Sequence, residues 1–520
     1  MPSSHISQFW ASHPECWIPI TAAQKAVADK LIYENFYKYD YESESLAGRV
    51  IFLDQFQRHF ARHVANHASQ DERHNGAPIT EADILACRLE AAEDVERNAD
   101  ELICQDEVDL VACLMPFKHL GRYEYIFEYL HNIYLPDKEL ELKSCPVLSH
   151  FYYDTYRKWQ TDETVAAALW LAPATTTWTY SAADICESDD APESLEALTA
   201  QMTDPHIKEL VAALRDAPPT VVSLSGGIDS MVALAILKAL GTEVSAVHII
   251  YGNRATSSDE FSFVARFCQR LAIPLTVYEI PYLRRDFVDR EFYESVTRSI
   301  RFSAYKALAA VGRVLLGHIQ DDAVENIWTN FARGLHLDNL SKMEVEEVQL
   351  GINLWRPLLH IKKSAIYAAA TTSHIPHLKN TTPSWCNRGK FREHFYAQTH
   401  AQYGPEVDAK LLEVADTLKA QSALIECLLY KQIYDSWNPD TNTVNVEPAL
   451  KVNLDAASWL KIFEHICHKY LKVNRPSIHA AREFMRRLRL TPKCLKMNVG
   501  KGISITLTGT KLMFEIIPYK

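Results

Sequence analysis

At Thr220 the hydrophobic period changes, and that change constrains the fold more than any other feature of the 520 residues. Upstream, from Ala22 to about Leu135, apolar residues recur every three or four positions in KAVADKLIYENFYKY, SLAGRVIFLDQFQRHFARHVANH and LVACLMPFKHLGRYEYIFEYL. That spacing predicts helices packed on helices. Downstream, the short apolar runs VVSLS, EVSAVHIIYG, LTVYEIPY and VLLGHI alternate with IDSMVALAILKALG, DEFSFVARFCQRLAI, the stretch 290–311 and DAVENIWTNFARG. Strands alternating with helices predict a parallel, doubly wound, Rossmann-like sheet with right-handed crossovers. Such a sheet binds ligands beyond the carboxyl ends of its strands.

The expected organisation is multidomain. It comprises an all-α region at 1–160, an acidic linker at 161–205, an α/β core at 206–400 and a helical α+β region at 401–520. The last of these carries the basic helix SIHAAREFMRRLRL and a glycine-turned pair of strands in LKMNVGKGISITLTGTKLMFEII.

No apolar run approaches the roughly 18 residues that span a bilayer, so no membrane partner is expected. Residues 1 to 24 hold neither Lys nor Arg, which argues against a leader peptide and for a cytoplasmic chain. Eleven cysteines without a CxxC pair predict reduced thiols rather than a disulfide framework or a zinc site. The net charge of −12 is unevenly spread. Residues 1–200 carry 15 basic and 34 acidic side chains, a net of −19, whereas residues 456–520 carry 13 and 3, a net of +10. The acidic end should avoid nucleic acid or meet a basic protein partner, and the basic end suits a polyanion.

The strongest local motif is Ser225-Gly226-Gly227-Ile228-Asp229-Ser230, set between an apolar strand and a helix. Two glycines admit close backbone approach, successive N–H groups form an anion nest, and the helix N-terminus adds positive dipole charge. A pyrophosphate fits there. The GxxxxGK[ST] pattern of a Walker loop is absent.

The SGGxDS string resembles the pyrophosphate loop of the N-type ATP pyrophosphatases, which cleave ATP to AMP and pyrophosphate. Further motifs narrow the resemblance. Arg298-Ser-Ile-Arg301-Phe302 is similar to an RxxRY box, and Gly317-His318-Ile-Gln-Asp321-Asp322-Ala-Val-Glu325-Asn326 to AHHxDDxxET. Arg333-Gly334 with Asn339-Leu-Ser-Lys-Met343 is similar to an RG…GLxxM continuation, and Trp355-Arg356-Pro357-Leu358-Leu359 to an RPLL strand. Together they resemble the tRNA(Ile)-lysidine synthetase family over about residues 218–400.

The resemblance implies ATP and Mg²⁺ as cofactors, and tRNA and lysine as substrates. ATP adenylates the wobble cytidine of a CAU anticodon, and the lysine amine then displaces AMP. It assigns catalytic roles to Asp229, His318, Asp322 and Arg301. Nucleotide binding falls to Ser225, Gly226, Gly227, Asp229, Ser230, His248 and Arg298, and metal binding to Asp321, Asp322 and Glu325. Clustered carboxylates at a strand end suit a Mg²⁺ that bridges phosphates. Arg298 and Arg301 share a helical face by i, i+3 spacing.

Expected tRNA contacts are Arg333, Arg356, Arg388, Lys390 and Arg392, together with Arg482, Arg486, Arg487 and Arg489 in the basic helix. Three elements depart from the family. His248 to Arg254 keeps one His, the Gly and the Arg of HxxHGLR; Ile319 replaces the second His of AHH; and the DPSN element is missing before Arg388, Lys390 and Arg392. Adenylation with another acceptor, such as sulfur through Cys386, and a degenerate RNA-binding scaffold therefore stay open.

At the other end, Leu53-Asp54-Gln55-Phe56-Gln-Arg58 and Met115-Pro116-Phe117-Lys-His119 resemble LDQFxRN and PFxHsE motifs. These belong to an uncharacterised bacterial domain family with a helical, tetratricopeptide-like architecture, and they imply no defined activity. Asp54, Arg58, His119 and Arg122 are expected to form a buried polar network that holds helices in register, or a site for an unknown ligand.

Overall fold

The computed structural model describes residues 5–13, 22–36, 44–67, 80–180, 185–186, 196, 199, 207–252, 256–308, 312–334, 339–379, 389, 391–473, 476–490, 494–500 and 502–516. They fall into two compact units, one of residues 1–319 and 344–381, the other of 320–343 and 382–520.

In the first unit the amino-terminal part is helical, as its period predicts. Thr80 starts the helix Glu81–Arg97 with a reciprocal capping box to Asp83. The Asp106 carboxylate accepts from the Val108 and Asp109 amides to start Glu107–His119. Pro146, whose missing N–H costs nothing at a first helical position, starts Pro146–Trp159. These helices bury Leu46, Leu114, Phe117, Phe127, Leu148 and Tyr156, and the same apolar cluster continues into Ile249, Tyr278, Ile280, Phe292 and Ile300 of the α/β core. Each such side chain contributes about 1.5–3 kcal/mol on burial.

The helical region is therefore continuous with the core, where an acidic linker predicts separation. Part of that linker span is itself structured. Helix Asp162–Ala168 packs on helix Arg290–Leu308, with Asp162 accepting from Lys306 Nζ at 2.7 Å. Trp170–Leu171 forms strand β1, and Ile185–Cys186 a short strand β2.

The main sheet takes β1 together with β3 (Thr220–Ser223), β4 (Val244–Ile250), β5 (Leu275–Glu279), β6 (Arg313–Leu315), β7 (Glu346–Gln349) and β8 (Ile352–Trp355), in the order β1-β5-β4-β3-β6-β8-β7. The inner pairs β5-β4, β4-β3, β3-β6 and β6-β8 are parallel; β1 and β7 close the edges antiparallel. The winding direction reverses between β3 and β6. In doubly wound sheets ligands bind at such a switch point, beyond the carboxyl ends of the two strands.

Behind β3, helix Ile228–Ala239 is buried from Met231 through Leu237, packed against helices Lys208–Leu214 and Lys363–Thr372. The RPLL segment, predicted as strand, is instead the turn after β8. Pro357 has no N–H to extend the ladder, and Leu359 N donates to Arg356 O across the turn.

In the second unit, helix Gln320–Arg333 packs on helix Val407–Ile425 around Ile327, Leu340 and Ala415. An antiparallel sheet follows, built from β10 (Thr443–Asn445), β11 (Cys494–Gly500), β12 (Ile503–Thr508) and β13 (Lys511–Ile516) in the order β10-β13-β12-β11. The expected pair of strands is thus a three-strand meander joined by a distant fourth. Helix Ile478–Leu490 buries Ala481 and Phe484 and keeps Arg482, Arg486 and Arg489 exposed. No described helix is long and apolar enough to cross a membrane.

Candidate functional site

The Ser225–Ser230 loop leaves β3 at the switch point. Gly226 has φ +79°, and a Cβ there would lie 2.6 Å from Leu378 Cδ1, so any other residue would strain the backbone and push Leu378 aside. The loop is tied by its own serines. Ser225 N donates to Ser230 Oγ at 3.3 Å, Ser230 Oγ donates to Gly227 O at 3.0 Å, and Gly227 N donates to Ser225 Oγ at 3.3 Å. From β9 (His377–Leu378), Leu378 N donates to Gly226 O at 2.9 Å. From the end of β6, a Cβ on Gly317 would come within 3.1 Å of Ser230 N. The two motifs that the sequence separates by almost ninety residues thus meet backbone to backbone across the switch point.

Asp229 stands in the first turn of helix Ile228–Ala239, where its negative charge suits the dipole. Both of its carboxylate oxygens accept from Lys363 Nζ at 2.8 Å, with each side chain 24% exposed. Sequence reasoning misses Lys363. The signal available is a cation at the first position of helix Lys363–Thr372, where it opposes the helix dipole and needs another partner.

His248 is buried and its Nδ1–H donates to Leu224 O at 2.8 Å, so the ring braces the residue before the loop. Burial pulls its pKa below the usual imidazole value, which keeps the ring neutral. His248 therefore cannot act as a cationic phosphate clamp at neutral pH.

Arg298 and Arg301, expected together on one face, have different surroundings. Arg298 is exposed, its guanidinium 4.9 Å from the Phe302 ring centroid. Arg301 is half-buried among Tyr251, Tyr293 and Tyr305, and its Nε is buried without a hydrogen-bond partner. Tyr305 in turn hydrogen-bonds Ser223 Oγ at 2.6 Å, two residues before the loop. His318 follows Gly317 in the turn after β6, and its N–H donates to Leu316 O at 2.8 Å.

Arg356 corrects the expectation of an RNA contact. It is 6% exposed, donates to Glu344 O at 2.9 Å and pairs with Glu347 at 3.0 Å. A guanidinium held there fastens the turn after β8 and does not reach a phosphate backbone.

In the second unit, Asp321 and Asp322 occupy the first turn of helix Gln320–Arg333 and Glu325 the next, with Asp322 buried. Among the described residues no three His, Cys, Asp or Glu side chains converge into a metal cage. Hard carboxylate oxygens still suit Mg²⁺, which usually takes one or two protein carboxylates and completes its shell with water and substrate phosphate. Arg333 is exposed at the end of that helix.

In the basic helix, Glu483 pairs with Arg486 and Arg487, each at 2.7 Å, leaving Arg482 and Arg489 as its exposed cations outside that pairing. Arg388, Lys390 and Cys386 lie outside the described residues, as does the side chain of Arg392. The eight described cysteine side chains are free thiols, with burial pushing Cys467 up to about 12.

Comparison with known proteins places these motifs in a family. A family model described as a PP-loop domain matches residues 199–388. The chain is 30% identical over 219 residues to a tRNA(Ile)-lysidine synthase of Chlamydia trachomatis serovar L2, covering 41% of this chain and 67% of that protein. It is 36% identical over 172 residues to the tRNA(Ile)-lysidine synthase of Nitrosomonas europaea, covering 32% of this chain and 37% of that one.

Proposed function

Because the chain belongs to the tRNA(Ile)-lysidine synthase family, within the PP-loop enzymes, we propose that it adenylates the wobble cytidine of a CAU-anticodon tRNA and joins lysine to it. As a member of that family it is a tRNA-modifying enzyme that uses ATP through a PP-loop. The geometry at the switch point supports lysidine formation. The Ser225–Ser230 loop and the Gly317-His318 turn abut at the sheet's switch point, with Gly317 packed against the Ser230 amide.

In this reading the loop amides of Gly226, Gly227 and Ser230 hold the β- and γ-phosphates at the start of helix Ile228–Ala239. The C2 carbonyl oxygen of the cytidine attacks the α-phosphorus, and the bond to pyrophosphate breaks. Lys363 exchanges part of its pairing with Asp229 for phosphate oxygen as the negative charge on the leaving group grows. The amine of lysine then attacks C2 of the activated base, forms the C–N bond and expels AMP, and His318 is the base assigned to take up the proton that nitrogen loses. Mg²⁺ arriving with the nucleotide would offset phosphate charge, and Asp321, Asp322 and Glu325 are the carboxylates that would hold it. Arg482, Arg486, Arg487 and Arg489, with Arg333, supply charge for the tRNA backbone.

The test is pyrophosphate release by the full chain with total tRNA, with and without lysine. Release coupled to incorporation of labelled lysine supports the reading. ATP consumption that leaves no lysine on tRNA, with sulfur or nothing transferred instead, refutes it.

A further inference from the structure

The amino-terminal helices enclose a cavity of about 720 Å³, within the range of small-molecule sites. It belongs to a region whose sequence is strongly acidic, yet its wall is cationic. Among the described residues, Lys25, Arg58, Arg62, Lys118 and Lys158 line it against one carboxylate, Asp154, and His59, His119 and His150 add imidazoles. The remaining wall is apolar, with Trp10, Val111, Met115 and Phe151.

Carboxylates behind the wall account for only part of this charge. Asp29, 5% exposed, accepts from His59 Nδ1 at 2.6 Å and Arg62 Nη2 at 2.7 Å. Asp54, 1% exposed, accepts from Arg88 Nε and His119 Nδ1, each at 2.9 Å. Asp154 is shared between Lys118 at 2.8 Å and Lys158 at 3.1 Å. Arg122, expected in the Asp54 network, is elsewhere, paired with Glu96 at the surface.

Arg58 is left over. Its guanidinium donates to the neutral Gln55 Oε1 and approaches His119 Nε2 at 3.5 Å, and its Nε is buried with no hydrogen-bond partner. His59 Nε2, on the same wall, is also buried without a partner. Asp54 and Asp29 attract this guanidinium without hydrogen-bonding it, so its buried Nε keeps a donor that an entering anion would satisfy. The planar fork of arginine matches the two oxygens of a carboxylate or phosphate.

We propose that this cavity is a binding site for a small organic oxyanion, whose carboxylate or phosphate head meets Arg58 and His119 and whose apolar body lies against Met115 and Phe151. The site is separate from the nucleotide loop. It gives the amino-terminal region a ligand where its sequence implies no activity.

The test uses the full chain and anilinonaphthalene sulfonate, a fluorescent probe with an anionic head on an apolar body. The expected result is one saturable site, unaffected by ATP, from which phenyl phosphate or benzoate displaces the probe and the neutral benzyl alcohol does not. Whichever of phenyl phosphate and benzoate competes better identifies the head group. Arg58→Met should weaken binding about ten-fold or more. Met115→Trp, which crowds the apolar wall and leaves every cation in place, should weaken binding about ten-fold or more with pyrophosphate release unchanged, and it carries the test if Arg58→Met fails to fold. Absence of a saturable site, displacement by ATP, equal competition by benzyl alcohol, or binding unchanged in the Met115→Trp protein overturns the proposal.

Discussion

Two carboxylates, the buried Asp54 among the amino-terminal helices and the partly exposed Asp229 in the nucleotide loop, are each paired with cations but differ in what the pairing permits. Asp54 is 1% exposed and is held by His119, Arg88 and Gln55 at once. Burial would raise its carboxyl, yet its hydrogen bond and attraction to His119, with Arg58 and Arg88, hold it below the usual carboxylate range. Asp229 is paired with Lys363, and about a quarter of each side chain meets solvent. A phosphate can compete for that lysine, whereas nothing entering from solvent can replace three partners around a sealed carboxylate. The first arrangement is built to stay and the second to exchange.

The largest effect expected from this contrast is on stability. Asp54→Ala strands the cations around it and should cost about 3–5 kcal/mol, read as a large fall in the denaturation midpoint. Asp229→Ala should cost under about 1 kcal/mol of stability, because the pair is partly solvated. It should lower pyrophosphate release about a hundred-fold while tRNA retention on a filter persists. If the two substitutions destabilise the chain equally, the distinction between a fixed and an exchangeable pair fails.

A smaller effect concerns the boundary where the helices meet the core. His131 hydrogen-bonds Tyr152 at 2.8 Å and stacks on Phe287 at 4.1 Å, and burial lowers its pKa to about 4. The unfolded chain takes up this proton near pH 6.5, so the stability is full above that pH and is lost as pH falls toward about 4. His131→Phe should flatten this stretch of the stability profile by about 1–2 kcal/mol, after allowance for partial exposure, in denaturant titrations at several pH values. An unchanged slope would remove His131 from the account.

The smallest effect belongs to the basic helix. Replacing Arg486 and Arg487 together should reduce the salt slope of tRNA binding by about one rather than two, because Glu483 already holds both. Replacing Arg482 and Arg489 should reduce it by about two. Identical slopes for the two pairs would show that Glu483 does not compete with phosphate.

Sequence alone places the α/β core because strand and helix periods alternate there, and it places the loop because two glycines, an acid and two serines have few uses between a strand and a helix. It does not reveal partners formed across long stretches of chain. Lys363 meets Asp229 from 134 residues away, and Arg88 meets Asp54 from 34. Burial is equally hidden. Arg356 and Arg482 look alike as cations, but one is locked to Glu347 in a turn and the other is exposed on a helix. A three-residue strand such as Thr443–Asn445 carries no period to detect, and its place beside β13 follows from the sheet's open edge. The linker reading fails at residues 162–171 because charge marks the surface of an element without excluding the element.

We propose that the loop at the β3/β6 switch point activates a tRNA base for attack by lysine. Mass analysis of the nucleosides recovered after incubation with total tRNA, ATP and isotopically labelled lysine tests it most directly. One new nucleoside is expected, a cytidine carrying the labelled lysine, formed by the intact chain and absent with Asp229→Ala. A sulfur-bearing nucleoside, or unmodified cytidine alone after ATP has been consumed, would contradict it.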